Sequence, residues 1–184
     1  MHQVTSEGYS NAVNDKMEPE YSNVKDWLAG DVRTKEQIAY VKEHKLLNDA
    51  EHGSIDEILN IIVSHVGSNK ETVYCHNDFH NGNIFATEPL TVFDPWPCFH
   101  HPYLDIGRSV IFATRAGLDE AGAQFIEGYF SGEEYDRKLL QAFIALNIWV
   151  KLPYMHKRGE VEAIKKKKKY LKLDFLAHIS YNTI

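Results

Sequence analysis

The stretch that decides the fold is Tyr74-Cys75-His76-Asn77-Asp78-Phe79-His80-Asn81-Gly82-Asn83, followed by Asp94. Asp78 and Asn83 stand five residues apart across a segment containing Gly82. Such a loop can fold back and point both side chains into one cavity. Residues 72–75 before it read as a short strand. Residues 83–86 and 90–93 after it read as a hairpin turned by Thr87-Glu88-Pro89. The hairpin returns Asp94 close to Asn83. Asp94-Pro95-Trp96-Pro97 then breaks regular structure, because each proline removes a donor and restricts the residue before it.

The flanks are helical. Residues 1–30 are polar and aperiodic, and read as loosely ordered loop with one short helix near 24–28. Thr34 with Gln37, and Ser54 with Glu57, both fit capping boxes. They predict helices at about 35–48 and from 54 to 66, the second carrying the stripe Ile55, Ile58, Leu59, Ile62, Val63 and Val66. Gly67-Ser68-Asn69 ends it. Beyond Asp105, helices are expected at about 106–116, 120–130, 135–153 and 160–179. The third is apolar almost all round and should be the buried central helix. The last includes Lys165–Lys169, which reads as a solvated helix face.

The chain has 184 residues, 43% apolar and 25% charged, with net charge -6. That is one domain of ordinary globular composition. The acidic balance argues against a nucleic-acid partner. No stretch is long and apolar enough for a bilayer. Cys75 and Cys98 are the only cysteines, and no secretory leader is visible, so reduced thiols and a cytoplasmic location are expected.

Asp78, Asn83 and Asp94 together offer a carboxylate free to take a proton, plus an amide oxygen and a second carboxylate as hard ligands. Mg2+ takes such oxygens alongside waters or phosphate oxygens. The set suits phosphoryl transfer, where positioning and charge neutralisation supply most of the catalysis.

His76-Asn77-Asp78 followed by Asn83, the hairpin and Asp94 resembles the catalytic and metal-binding segments of the aminoglycoside phosphotransferase and choline kinase group, relatives of the protein kinases. In protein kinases the same parts read H-R-D-x-x-x-x-N and D-F-G. Pro95-Trp96 after the metal aspartate disfavours a protein kinase. His100-His101-Pro102-Tyr103-Leu104-Asp105-Ile106-Gly107 resembles the segment that follows in this group, and Phe125 to Tyr129 resembles a helix of its substrate lobe.

The resemblance implies an α+β, mainly α fold: the helical C-terminal lobe of a protein-kinase-like fold, with a small β-hairpin carrying the catalytic and metal loops. It implies Asp78 as catalytic base, Asn83 and Asp94 as Mg2+ ligands, and His76 and Asp105 as supports of the catalytic loop. His80 and Trp96 are candidate substrate or loop contacts. ATP or GTP would be the co-substrate and a small, hydroxyl-bearing molecule the acceptor. Aminoglycosides, choline-like and homoserine-like alcohols all stay open. Glu127, Glu133, Glu134 and Asp136 could line a pocket for a cationic substrate, or simply face water. No lysine is assignable to the phosphates, and no β-rich nucleotide lobe precedes residue 70. Such a chain is expected to bind nucleotide weakly.

Two other classes stay open. One is a kinase-like module that binds a partner without catalysis. The other is a His76-x-Asp78…His156 Fe(II) oxygenase site with Arg158 as co-substrate anchor, which sits poorly with so few strands. A metallo-hydrolase on His76, Asp78 and His80 lacks a second histidine cluster.

Overall fold

A computed structural model of the chain describes residues 3–10, 12, 16, 18–30, 32–67, 71–115 and 119–171. The fold is α+β and mainly α. Its centre is helix α6 (Arg137–Lys157), whose Leu140, Phe143, Ile144, Ile148, Trp149 and Leu152 are all buried. Each such side chain contributes about 1.5–3 kcal/mol relative to exposure. A helix buried on nearly all sides needs partners around it. Here α2 (Val32–Glu43), α3 (Asp49–Val66), α4 (Tyr103–Arg115) and α7 (Val161–Lys167) pack against α6. Helix α1 (Val24–Gly30) packs on α3, and α5 (Asp119–Phe130) packs on α4.

Gly107 sets how closely α4 approaches α6. A Cβ there would lie 3.0 Å from the Ile144 backbone nitrogen and 3.1 Å from the Phe143 carbonyl carbon. Backbone cannot yield as a flexible side chain does, so any larger residue pushes the helices apart.

Two small sheets complete the fold. The first is antiparallel, ordered β1 (Thr5–Glu7), β2 (Glu71–Cys75), β5 (Cys98–His100). The second is the expected hairpin, β3 (Ile84–Phe85) with β4 (Thr91–Val92).

The sequence misplaces several features. Residues 5–7 are strand rather than loop: Ser6 pairs with Thr72, and the Thr72 hydroxyl donates to Gly8 O at 2.6 Å. Tyr9 is fully buried, and its backbone exchanges hydrogen bonds with Tyr21. Such a strand has no alternating pattern to read, because it is a short edge stabilised by its neighbour. β5 escaped for the opposite reason: Cys98, Phe99 and His100 are all buried, so no alternation exists.

The cap of α3 is Asn48 rather than Ser54. Asn48 Oδ1 accepts from Glu51 N at 2.9 Å, and Glu51 Oε2 accepts from Asn48 N at 2.8 Å. Gly53 inside α3 costs the helix only about 1 kcal/mol, less than the buried stripe supplies. Thr34 lies inside α2, and Gln37 Nε2 donates to Val150 O instead of reaching back. The lysine run is not one solvated face: Lys167 is buried, and Lys168 Nζ lies 3.0 Å from Glu51 Oε2. Helix α7 ends at Lys167 and a 3-10 turn carries Lys168–Leu171. Positions 68–69, 116 and 172–179 of the expected elements lie outside the described residues. No helix among the described residues is long and apolar enough to cross a membrane.

Candidate active site

The site grows from the end of β2. His76 and Asn77 leave the strand with their backbone N–H groups unpaired by the sheet. The Asp105 carboxylate, on the first turn of α4, accepts both: Oδ2 from His76 N at 2.7 Å and Oδ1 from Asn77 N at 2.6 Å. Asn77 adopts φ +60°, a left-handed conformation that asparagine tolerates better than most residues. This turn aims the following residues away from the sheet.

His76 locks the loop to the hairpin. Its Nδ1 accepts from Asp78 N at 3.3 Å, which places its hydrogen on Nε2, and Nε2 donates to Phe93 O at 3.0 Å. Trp96 N donates to His76 O at 2.9 Å. The Trp96 backbone is therefore anchored while its indole is 59% exposed.

Asn83 draws Asp78 and Asp94 together. Its Nδ2 donates to Asp78 O at 3.0 Å, and lies 3.3 Å from Asp78 Oδ2 and 3.4 Å from Asp94 O. The amide nitrogen thus faces both acidic residues. That leaves Asn83 Oδ1 without a hydrogen-bond partner among the described residues. Asp94 is exposed and adopts φ +55°. Strained conformations of this kind collect at functional sites.

His80 caps the 3-10 turn Asn81–Asn83, its Nδ1 accepting from Gly82 N at 2.9 Å. A Cβ on Gly82 would meet His80 Cε1 at 2.7 Å, so the ring position requires glycine there. The other ring nitrogen, Nε2, then carries the hydrogen and lies 3.5 Å from Asp78 Oδ2. Asp78 Oδ2 is flanked by Asn83 and His80. Oδ1 has no partner among the described residues and, on a side chain 39% exposed, is open to a ligand.

Helix α4 adds residues that the sequence does not single out. Arg108 and Ser109 follow Asp105 at three and four residues, so all three share a helix face. Arg108 Nη1 donates to Asn77 O, and its Nε donates to the buried Asn147 Oδ1 at 3.1 Å. The Ser109 hydroxyl lies 3.0 Å from Phe79 O. The signal that could have found them is this spacing from Asp105. Burial pushes the Arg108 guanidinium below its ordinary value, and the neighbouring thiols, Asp105 and Asp78 oppose that.

Cys75 and Cys98 face each other across β2 and β5 as thiols. A hydrogen bond with Cys98 and burial hold the Cys75 thiol well above its usual range, so it stays protonated and a poor nucleophile.

The rival metal sets do not assemble. His156 Nδ1 bonds Tyr40 OH at 2.9 Å, and its ring packs against His44. Both His76 ring nitrogens are engaged, Nδ1 within the loop and Nε2 with the hairpin. No group of three His, Cys, Asp or Glu among the described residues could hold a metal. The acidic residues of α5 and beyond do not gather into a pocket for a cationic substrate either. Glu127, Glu133 and Glu134 are exposed, while Asp136 caps α6 and pairs with His65 at 2.6 Å.

Residues 16–140 match the sequence model of the phosphotransferase enzyme family, and the chain belongs to that family. Solved structures share the fold. A Thermobifida fusca protein described as a fructosamine-3-kinase superposes with TM-score 0.55 at 13% identity, over 91% of this chain and 61% of its own. A thermostable mutant of aminoglycoside phosphotransferase APH(4)-Ia, in ternary complex with AMP-PNP and hygromycin B, superposes with TM-score 0.56 at 15% identity, over 83% and 52%. The apo form of such a mutant gives TM-score 0.58 at 15% identity, over 88% and 55%. The chain therefore spans between about half and three fifths of the length of these structures. Curated protein sequences yield no match.

Proposed function

We propose that the chain carries the catalytic floor of a small-molecule phosphotransferase, which moves the γ-phosphoryl group of ATP or GTP to a hydroxyl of a small acceptor. One observation supports this reading: Asn83 Nδ2 lies within hydrogen-bonding distance of the Asp78 carboxylate and of the Asp78 and Asp94 backbone carbonyls, so one amide ties the candidate base to the start of the Asp94 segment. Family membership supports it.

In this reading Asp78 Oδ1 accepts the hydrogen bond of the acceptor hydroxyl. As the oxygen bonds to the γ-phosphorus, the bond from that phosphorus to the bridging oxygen breaks. The nucleoside diphosphate leaves with those electrons, and the hydroxyl proton passes to Asp78. His80 Nε2–H and Asn83 Nδ2 hold Oδ2 and so orient the carboxylate. Asp105, His76, Arg108 and Ser109 hold the loop backbone and touch no substrate.

Magnesium fits the residues present. Asn83 Oδ1 is left open by the orientation of its amide, and Asp94, whose backbone carbonyl lies 3.4 Å from that amide nitrogen, is exposed. Two hard oxygens with room for waters and phosphate oxygens form the donor set this ion takes. When bound, magnesium would neutralise charge building on the transferring group. Asn83 and Asp94 would hold it, and neither would surrender a hydrogen bond that supports the loop.

The test is transfer of labelled γ-phosphate from Mg-ATP and Mg-GTP to a panel of small alcohols. Asp78→Asn should lower transfer by about 10²–10⁴-fold while leaving circular dichroism unchanged. Full activity in that variant would refute the proposal, as would transfer that persists in excess chelator.

A further inference from the structure

Beside Asp78 lies a cavity of about 190 Å³, open on one side, between the catalytic loop and helices α4 and α5. Phe79 and His80 of the loop, Phe112 and Ala113 of α4, and Ala121 and Phe125 of α5 line it. Phe112 and Ala113 follow Ser109 at three and four residues, on the helix face that meets the loop. The Phe79 and Phe125 rings lie 5.9 Å apart, and the His80 ring lies 4.6 Å from Phe112. His80 joins the cavity to the candidate base, since the same imidazole lines one and stands 3.5 Å from the carboxylate of the other.

The lining is mainly apolar, with Ile84 adding to these side chains and Asn81, His80 and Ser109 its polar members. No Asp or Glu contributes to it. The Ser109 hydroxyl is engaged with the Phe79 and Asp105 carbonyls. A cage of aromatic rings can hold a cation through the ring quadrupole. Here, though, the Lys151 ammonium already lies 4.0 Å from the Phe112 centroid. Lys151 is not part of the lining, so it takes up the Phe112 ring from outside the cavity, and no carboxylate in the lining would balance a bound cation. Size points the same way: an apolar cavity of about 150 Å³ takes up benzene, so this one has room for a single ring or a branched alkyl group.

We propose that this cavity is the specificity subsite for the acceptor and takes an uncharged apolar group about the size of one aromatic ring. The acceptor is then a neutral alcohol with an aryl or branched alkyl substituent, not a polycation. The word acceptor rests on the phosphotransferase reading; the ligand class rests on the cavity alone. Ala113 and Ala121 set the width of the subsite, because they are its small side chains.

The experiment is a titration of the chain with 2-phenylethanol, followed by amide shifts in nuclear magnetic resonance, with choline as the cationic comparison. Saturable shifts at Phe79, Ala113 and Ala121 are expected, and no saturation with choline. Ala113→Phe and Ala121→Phe should each weaken 2-phenylethanol at least tenfold. The proposal is overturned if 2-phenylethanol does not saturate, if choline binds more tightly, or if both folded variants bind as the parent does. Should a variant lose its dispersed spectrum, contacts between the ring protons of the probe and the Ala113 and Ala121 methyl groups in the parent decide the matter. Their presence supports the subsite and their absence overturns it. Transfer from Mg-ATP is measured alongside. Binding without transfer to any alcohol would refute the phosphotransferase reading and leave the apolar site standing. Transfer to choline, unaffected by either variant, would refute the subsite and leave that reading standing.

Discussion

The two carboxylate oxygens of Asp105 accept the backbone N–H groups of His76 and Asn77, at 2.7 and 2.6 Å. One side chain on α4 thus holds the loop after β2 where it leaves the sheet, and does so out of water, with Asp105 only 5% exposed. An amide in place of the carboxylate would turn one acceptor into a donor facing a buried N–H. Asp105→Asn should therefore cost about 1–3 kcal/mol, seen as a lower urea midpoint with an unchanged slope. Unaltered stability would show that the pair contributes little.

Asn83 and Asp94 carry the metal in the proposed function, and neither is needed for the core. Asn83→Ala or Asp94→Ala should raise the magnesium needed for half-maximal nucleotide binding. The rise should reach at least the roughly 10–100-fold that loss of even an outer partner of a metal ligand costs. Calorimetric titrations of nucleotide at stepped magnesium concentrations would read it. Identical magnesium curves for parent and variants would remove both residues from the metal site.

His100 links stability to pH. It is buried against Tyr9, Trp27 and Phe143, with His101 beside it and the Arg108 charge near. Burial first, then His101 and Arg108, hold its pKa well below the ordinary 6.5. Below that pH the unfolded chain takes up a proton that the folded chain refuses, so the unfolded state binds more protons. This contribution is fully present above pH 6.5 and is lost as pH falls through the folded value. The thermal midpoint should decline from pH 7 to pH 5, and less steeply in His100→Phe. Equal slopes would exclude His100 as the source.

Two glycines in helices should respond in opposite directions. Gly107→Ala drives a methyl into the α6 backbone at Ile144 and should destabilise by about 1–3 kcal/mol. Gly53 on α3 has nothing within 4 Å of an added Cβ, so Gly53→Ala should stabilise by about 0.5–1 kcal/mol. Thermal denaturation of both variants would check this; a shared sign would contradict the packing described here.

Sequence alone was enough for the helices with a clear apolar stripe and for the hairpin, and it marked the residues at the end of β2 as a candidate site. Those signals are local: a period of 3.6, a turn, a fixed spacing of acid and amide. The family resemblance also rests on such spacing, since Asp78, Asn83, Asp94 and Asp105 lie on one short length of chain. What tertiary structure decided is what those residues meet. β1 exists because β2 offers an edge, and β5 because its three side chains are buried on both faces. Arg108 and Ser109 serve the loop because α4 packs beneath it, and the apolar cavity forms because α5 folds back on α4. Burial and pairing between distant segments leave no periodic trace in the chain. The run from Tyr74 to Asp94 could therefore point to the family that residues 16–140 match, and only packing could place an apolar cavity against His80.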